Sequence, residues 1–380
     1  MAIRFLTAGD SHGEMLIGIA EGLPAHVKVD VRAIQRDLAR RRRAYGRSSR
    51  QMIEKDELVI AGGLWKGRTT GAPLAVVLPN RARTVQGKRG GGLGTVPRPG
   101  HADLAGMLKY AHDSVPPVSE RASARSTAVR VAIGAVAKAV LADLDIDVVG
   151  HVLSIGDVVA SREARDARLL RARAGRSPVF CPDPEAGKRM MAEIKRAKGD
   201  GDSLGGSVEV IVAGAPPGLG SHVEWDRKLD ARLAAAMMSI QSVKAVEIGD
   251  GITSARARGA DAQDAMRVRG GRVARQTNHA GGIEGGMTNG EPVVVRVYAK
   301  PIPTAQRRAA TFDARTLADR ESPYVRSDTC VIPALAVIAE AAAAWEILAA
   351  ALEKFGGDTI DETVAARDRY LATVRGRLKR

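Results

Sequence analysis

Two histidines and a set of arginines carry most of the chemistry this chain could do. His12 stands in Gly9-Asp10-Ser11-His12-Gly13, and the pattern returns as Gly201-Asp202-Ser203-Leu204-Gly205. The second copy has leucine where the first has imidazole, so the loop backbone does not itself demand histidine. An imidazole titrates near neutrality, and flanking glycines leave room for a ligand; both fit proton transfer at His12. A hydrogen bond to backbone is the structural alternative. His101 lies in Arg98-Pro99-Gly100-His101-Ala102-Asp103. There a Pro-Gly turn presents the ring just after a glycine-rich basic stretch, residues 83–98, expected to be a mobile loop.

The arginines are Arg40, Arg41, Arg42 and Arg43, followed by Arg47 and Arg50. Helical spacing puts Arg40 and Arg43 on one face and Arg41 on another. Arg47 and Arg50 lie past Tyr45-Gly46 and can converge with Arg41. Guanidinium forks suit carboxylate and phosphate; a solvated basic face is the alternative. Ser11, beside His12, joins Arg41, Arg47 and Arg50 as an anion-binding candidate. Glu120-Arg121-Ala122-Ser123-Ala124-Arg125 and Val325-Arg326-Ser327-Asp328 each precede a long apolar helix, and helix N-terminal amides favour anions. Asp328 can equally be a simple helix cap. Lys300-Pro301-Ile302-Pro303-Thr304 is a rigid turn with an ammonium and a hydroxyl, suited to phosphate. Gly285 stands where the first copy has Lys66, consistent with a flat ligand against the backbone. No dinucleotide or P-loop glycine fingerprint occurs.

The elements that must position these residues also come in two sets. Ala61-Gly62-Gly63 leads to Gly67, Thr69, Gly71 and Pro73, and Ala280-Gly281-Gly282 leads to Gly286, Thr288, Gly290 and Pro292 at the same spacing. The blocks keep their order, which points to a duplicated unit with halves about 1–150 and 200–355. Short apolar runs at 16–20, 74–78, 208–212 and 293–297 read as strands. Helices are expected over 30–43 and 225–240, and long alanine-rich ones over 126–144 and 332–355. The expected fold class is α/β (α+β): two pseudo-two-fold-related halves, with the long helices as an inner layer. Residues 161–183 read as a basic surface insertion, 185–199 as an amphipathic helix, and 356–380 as a peripheral tail.

A chain of 380 residues with 45% hydrophobic content can bury a large core as one domain spanning 1–380. The net charge of +15 favours anionic partners, but aromatics are only 3%. Stacking platforms for nucleic acid need more, so a nucleic-acid-binding protein is the weaker reading. Cys181 and Cys330 form no disulfide framework or metal motif. The apolar run near 331–352 holds Glu340 and Glu346 and reads as a buried helix, not a membrane span. The expectation is a cytoplasmic protein with neither membrane nor nucleic acid as partner.

With these motifs in this order, the chain resembles the chorismate synthase family over nearly its full length. The resemblance rests on residues 9–14, 40–46, 98–103, 120–125, 201–205, 241–251, 281–290, 300–304 and 326–328. It implies a homotetramer of β-α-β sandwich subunits. It also implies a lyase that eliminates phosphate from 5-enolpyruvylshikimate 3-phosphate, an anti 1,4-elimination giving chorismate. Reduced FMN is required without net redox change. Carried over, His12 protonates the departing phosphate, His101 lies near the flavin, and Asp328 assists removal of the ring proton. Arg41 and Arg47 match anion-binding positions. Arg121, Ala122, Ser123, Gln241, Ser242, Gly285, Lys300, Pro301, Ile302, Pro303, Thr304 and Arg326 match flavin contacts. Pro303 stands where serine is frequent and removes a hydroxyl and a backbone donor. No nicotinamide module is visible, so NADPH enters as an external source of reducing equivalents. A flavin-dependent oxidoreductase is the rival enzyme.

Overall fold

The computed structural model describes residues 3–47, 56–81, 93–161, 166–270, 272–304, 306–323 and 328–377. Arg50, Arg326 and the basic stretch 83–92 therefore lie outside the described residues. The first sheet holds β1 (Arg4–Ala8), β2 (Met15–Glu21), β3 (Val59–Gly62) and β4 (Leu74–Pro79), in the order β1-β2-β4-β3. The second holds β5 (Asp147–Ile155), β6 (Gly206–Ala213), β7 (Val243–Ile248) and β8 (Val293–Ala299), in the order β5-β6-β8-β7, with Val158–Val159 added beside β5. All neighbours are antiparallel, and the two orders are the same.

Among the described residues the helices longer than four residues are α1 (Val31–Arg43), α2 (Asp103–Tyr110), α3 (Pro116–Ala122), α4 (Thr127–Asp143), α5 (Ala167–Arg176), α6 (Pro184–Gly199), α7 (Leu229–Met238), α8 (Ile332–Phe355) and α9 (Ile360–Arg377). Helix α8 is apolar almost all round and buried along nearly its whole length, as such a helix must be. It meets membrane-spanning length and hydropathy, yet it is a core helix. It packs on β5 and β6, and α4 packs on β2 and β4, with the two helices against each other. The helices thus form a layer between the sheets. Small residues set the spacing. A Cβ on Gly134 would lie 2.4 Å from the Ala341 Cβ, and one on Gly18 would lie 2.2 Å from Val129.

An ionic group pins this layer together. Glu340 of α8 accepts from Arg40 at 3.0 and 3.1 Å and from the Gly150 amide at 2.9 Å, and it pairs with Lys138 of α4 at 2.5 Å. Burial alone would push its carboxyl up. Lys138 and Arg40 outweigh that and hold it well below the ordinary carboxylate range. Arg40, expected on a ligand or solvent face, is therefore a half-buried ion-pair partner of Glu340.

Threonine hydroxyls stitch the two lobes in the same way. Thr69 Oγ1 donates to the Pro24 carbonyl at 2.6 Å and accepts from the Val27 amide. Thr288 Oγ1 donates to the Pro216 carbonyl at 2.6 Å and accepts from the Leu219 amide.

Two segments differ from expectation. The second-lobe helix is broken: a 3-10 turn spans Trp225–Arg227, and α7 begins at Leu229. Lys228 between them is extended because the Leu229 amide bonds to the Gly286 carbonyl across the lobe. The stretch 161–183 is more than a solvated insertion. Ala167 and Leu170 of α5 are buried against Val149 and Ile211, and so cover part of the second sheet's outer face. The first sheet's outer face leaves Leu6, Met15, Ile19 and Val59 exposed.

Candidate active site

The His12 loop is built by backbone demands. Gly9 has φ +103°, and a Cβ there would meet the Met15 carbonyl at 2.2 Å. Asn80 Nδ2 donates to the carbonyls of Asp10 and Gly13 at 3.1 and 3.0 Å, closing the turn. The Ser11 amide donates to the Glu120 carbonyl at 3.1 Å. The His12 amide donates to Glu120 Oε2 at 2.7 Å, and His12 Nδ1 lies 2.7 Å from Glu120 Oε1. Ser123 Oγ donates to Ser11 Oγ at 3.1 Å. Arg121 reaches back to the Thr7 carbonyl and hydroxyl at 2.9 and 2.7 Å. Ser11, His12, Arg121 and Ser123 thus meet, joined by the chain through Ala122.

The buried arginines come next. Arg41 donates from Nε to Thr127 Oγ1 and from Nη2 to the Ala124 carbonyl, both at 3.0 Å. Its Nη1 lies 3.7 Å from Asp56 Oδ2. Arg125 bonds the other Asp56 oxygen and, twice, Asn80 Oδ1 at 3.1 and 2.9 Å. Arg47 Nη1 pairs with Asp328 Oδ2 at 2.8 Å. Burial, together with the Arg47 guanidinium, pushes Arg41 down to about 9, with Arg125 acting in the same sense and Asp56 and Asp328 opposing. A guanidinium rarely gives up its proton. The neighbouring Arg47 and Arg125 leave positive charge at this spot, which favours an anion. Arg41 Nη1 and Arg47 Nε are buried without a hydrogen-bond partner, which leaves donors for one. Arg41 and Arg47 converge as expected, and Arg42 and Arg43 do not join them in these contacts. Helix α8 begins at Ile332 behind Val331, with no side-chain cap, so Asp328 is not its cap.

His101 is held by its own charged neighbours. Its Nδ1 lies 2.5 Å from Asp103 Oδ1, and Arg98 grips both oxygens of that carboxylate at 2.7 and 2.9 Å. Burial would raise the Asp103 carboxyl; His101 and Arg98 outweigh it and hold it well below its usual range. Lys300 Nζ donates to the Gly100 carbonyl at 2.7 Å, docking the His101 turn on the 300–304 turn. The Lys300 amide donates to the Ser242 carbonyl at 2.9 Å. Ser203 Oγ donates to the Ile302 carbonyl at 2.8 Å. Pro303 lies against Gly100, beside Thr304. Gln241 Nε2 reaches Ser126 Oγ at 3.4 Å, while its Oε1 is buried without a partner.

These groups form one continuous chain of contacts. From His101 it runs through Lys300 and Ile302 to Ser203. The adjoining Leu204 amide bonds the Thr329 carbonyl, and the Thr329 amide bonds the Gly46 carbonyl. Arg47 and Asp328 follow, then Arg41, Asp56, Arg125, Asn80 and the His12 loop. Gly285 stands apart. At φ +58° a Cβ there would meet only His222, at 3.9 Å. Its counterpart Lys66 has φ +48°, so both occupy the same left-handed turn. The left-handed turn favours glycine, and Lys66 shows that it also tolerates a side chain.

Asp56 and Asn80 were not singled out from sequence. Each comes from a separate loop with no local pattern, and only the buried Arg125 unites them. Among the described residues no group of histidine, cysteine and carboxylate side chains could hold a metal ion.

A family model described as chorismate synthase matches residues 3–352. A chorismate synthase of Desulforudis audaxviator is 49% identical over 383 residues, covering 98% of each chain. One of Symbiobacterium thermophilum is 49% identical over 393 residues, covering 98% of this chain and 99% of its own. A crystal structure of chorismate synthase matches with a TM-score of 0.82 at 36% identity, covering 99% of both chains.

Proposed function

The chain belongs to the chorismate synthase family, and from that premise we propose that its arginine-lined end binds 5-enolpyruvylshikimate 3-phosphate and eliminates phosphate to give chorismate. One observation carries this reading: three buried guanidinium groups, Arg41, Arg47 and Arg125, crowd two carboxylates, and Arg41 Nη1 and Arg47 Nε are still without a hydrogen-bond partner. A ligand with two carboxylates and a phosphate supplies the missing acceptors. Arg41 and Arg47 hold it, with Ser11 beside the reacting end, and Arg50 belongs to the same proposal.

In the elimination the phosphate leaves with the electrons of its carbon–oxygen bond, and a ring proton is lost on the opposite face. His12 gives a proton to the departing phosphate, and Asp328 stands on the side of proton removal. A positioned acid contributes roughly 10²–10⁴-fold. Reduced FMN, when bound, supplies electron density for the step without net redox change. The residues assigned to such a group on resemblance are Arg121, Ala122, Ser123, Gln241, Ser242, Gly285, Lys300 to Thr304 and Arg326. The buried, unpartnered Gln241 Oε1 is an acceptor awaiting a donor. His101 is assigned beside the flavin on resemblance, on the turn that Lys300 docks. NADPH serves as an outside reductant.

The reaction belongs in the cytoplasm, in keeping with the free thiols of Cys181 and Cys330. A homotetramer is proposed too, supported by the exposed apolar face of the first sheet, which another copy can cover. The test is anaerobic: protein, dithionite-reduced FMN and the enolpyruvyl substrate, with chorismate absorbance and free phosphate followed together. Equal release of both is expected. No product, or stoichiometric oxidation of a nicotinamide in its place, overturns the proposal.

A further inference from the structure

The contacts of Glu120 do more than close a loop. Its carboxylate is buried, and both oxygens face His12: Oε2 takes the backbone N–H, and Oε1 lies 2.7 Å from Nδ1. The adjoining Glu120 carbonyl takes the Ser11 amide. A backbone N–H can only donate, and an ionised carboxylate can only accept. The pair of contacts therefore asks Nδ1 to carry a proton, which leaves Nε2 as the ring nitrogen free to meet a ligand. We infer that Glu120 is a positioning residue that fixes the orientation and proton arrangement of His12, so that the proton delivered to the leaving group sits on Nε2.

The reasoning turns on what an amide would do at the same place. In Glu120→Gln the backbone N–H of His12 must be met by the amide oxygen. The amide nitrogen, a donor, then faces Nδ1 and requires it to be bare. The neutral ring becomes the Nε2–H tautomer, and the doubly protonated ring meets a donor where it needs an acceptor. The acid form is lost without loss of volume or shape.

Other charged groups border this loop. Asp10 and Glu14 lie on the loop itself. Arg121 of α3 is turned to Thr7 and Gly9. Arg125 of the following turn is turned to Asn80 and Asp56. Of these side chains only Glu120 bonds the ring in the contacts described above. The function proposed for His12 is the premise here, so one measurement is chosen that needs no turnover.

Wild-type protein grown with isotope-labelled histidine, with His12 assigned by the signal lost in His12→Ala, is titrated by nitrogen NMR without ligand. In the neutral ring, Nδ1 is expected to be protonated and Nε2 bare. Glu120→Gln should invert that assignment. With reduced FMN and substrate, Glu120→Gln should lower kcat roughly 10²-fold at neutral pH. KM should hold. A wild-type ring in the Nε2–H form overturns the inference even if Glu120→Gln fails to fold. So does a folded variant with wild-type rate and wild-type ring protonation. If wild-type protein makes no product, the reading of function fails while the tautomer measurement still decides the role of Glu120.

Discussion

The two lobes share a glycine loop and use it differently. In both, the loop is sewn to the segment ahead of a long helix. The Ser11 amide bonds the Glu120 carbonyl before α4, and the Leu204 amide bonds the Thr329 carbonyl before α8. There the likeness stops. His12 faces a buried carboxylate, whereas Leu204 is half-buried and packs on the hydrophobic core. The outer faces of the sheets diverge too. The first is apolar and exposed; the second carries Glu209, Arg296 and Glu247 in buried ion pairs beneath a partial helical cover. Where the lobes agree, as at Thr69 and Thr288, the residue serves the backbone. Where they part at a polar position, the fold has shown that it can do without that side chain.

The sharpest way to break this comparison is to write the second lobe into the first. His12→Leu should fold with unchanged thermal stability and lose roughly 10²–10⁴-fold in turnover, the usual weight of a positioned acid. Thermal melts and the anaerobic phosphate assay read the two quantities separately. Wild-type turnover from this variant would mean that the difference between the loops is accidental.

Much of this was legible before any coordinates, for a physical reason. The duplication made His12 stand out, because its glycine loop is repeated around a leucine. The buried helices were legible because an apolar surface all round leaves no place but the core. The arginines were legible only in part. Helical spacing separated Arg41 from Arg40, but nothing local says that Arg40 crosses to Glu340, which is distant in the chain. Asp56 and Asn80 were out of reach for the same reason. Helix α5 shows the opposite error: its arginines drew attention from Ala167, Leu170 and Ala174, whose spacing marks a buried face. Gly285 differs from Lys66 in side chain alone, since both hold the same left-handed turn.

A second test asks whether the lobes stand as one body. Glu340, Lys138, Arg40 and Asp37 join α8 of the second lobe to α1 and α4 of the first. Glu340→Gln leaves two cations without their buried partner and should cost about 3–5 kcal/mol, read as a lower urea midpoint at unchanged slope. The pH dependence has a fixed sign. The folded-state carboxyl lies below its ordinary value of 4.5. Its contribution is therefore fully present above that value and is lost as pH falls below it. The variant should lack that part of the acid loss. A variant as stable as wild type, with the same acid profile, would show that the clasp holds nothing.

The smallest effect is the most discriminating. Leu204→His writes the first lobe into the second. If an imidazole in a glycine loop were enough, this variant would gain something: turnover in a His12→Leu background, or a changed pH profile in wild type. We expect neither. The loop's amide at 204 meets a backbone carbonyl, not a carboxylate, and the loop has no counterpart of Glu120 to hold a ring by one nitrogen and present the other. The cost should be confined to stability, about 1 kcal/mol for exchanging half-buried leucine contacts for a polar ring. Rescue of the double variant would show that the loop alone makes the acid. Its absence, with both single variants folded, would assign the chemistry to the pairing of loop and carboxylate, which only the first lobe has.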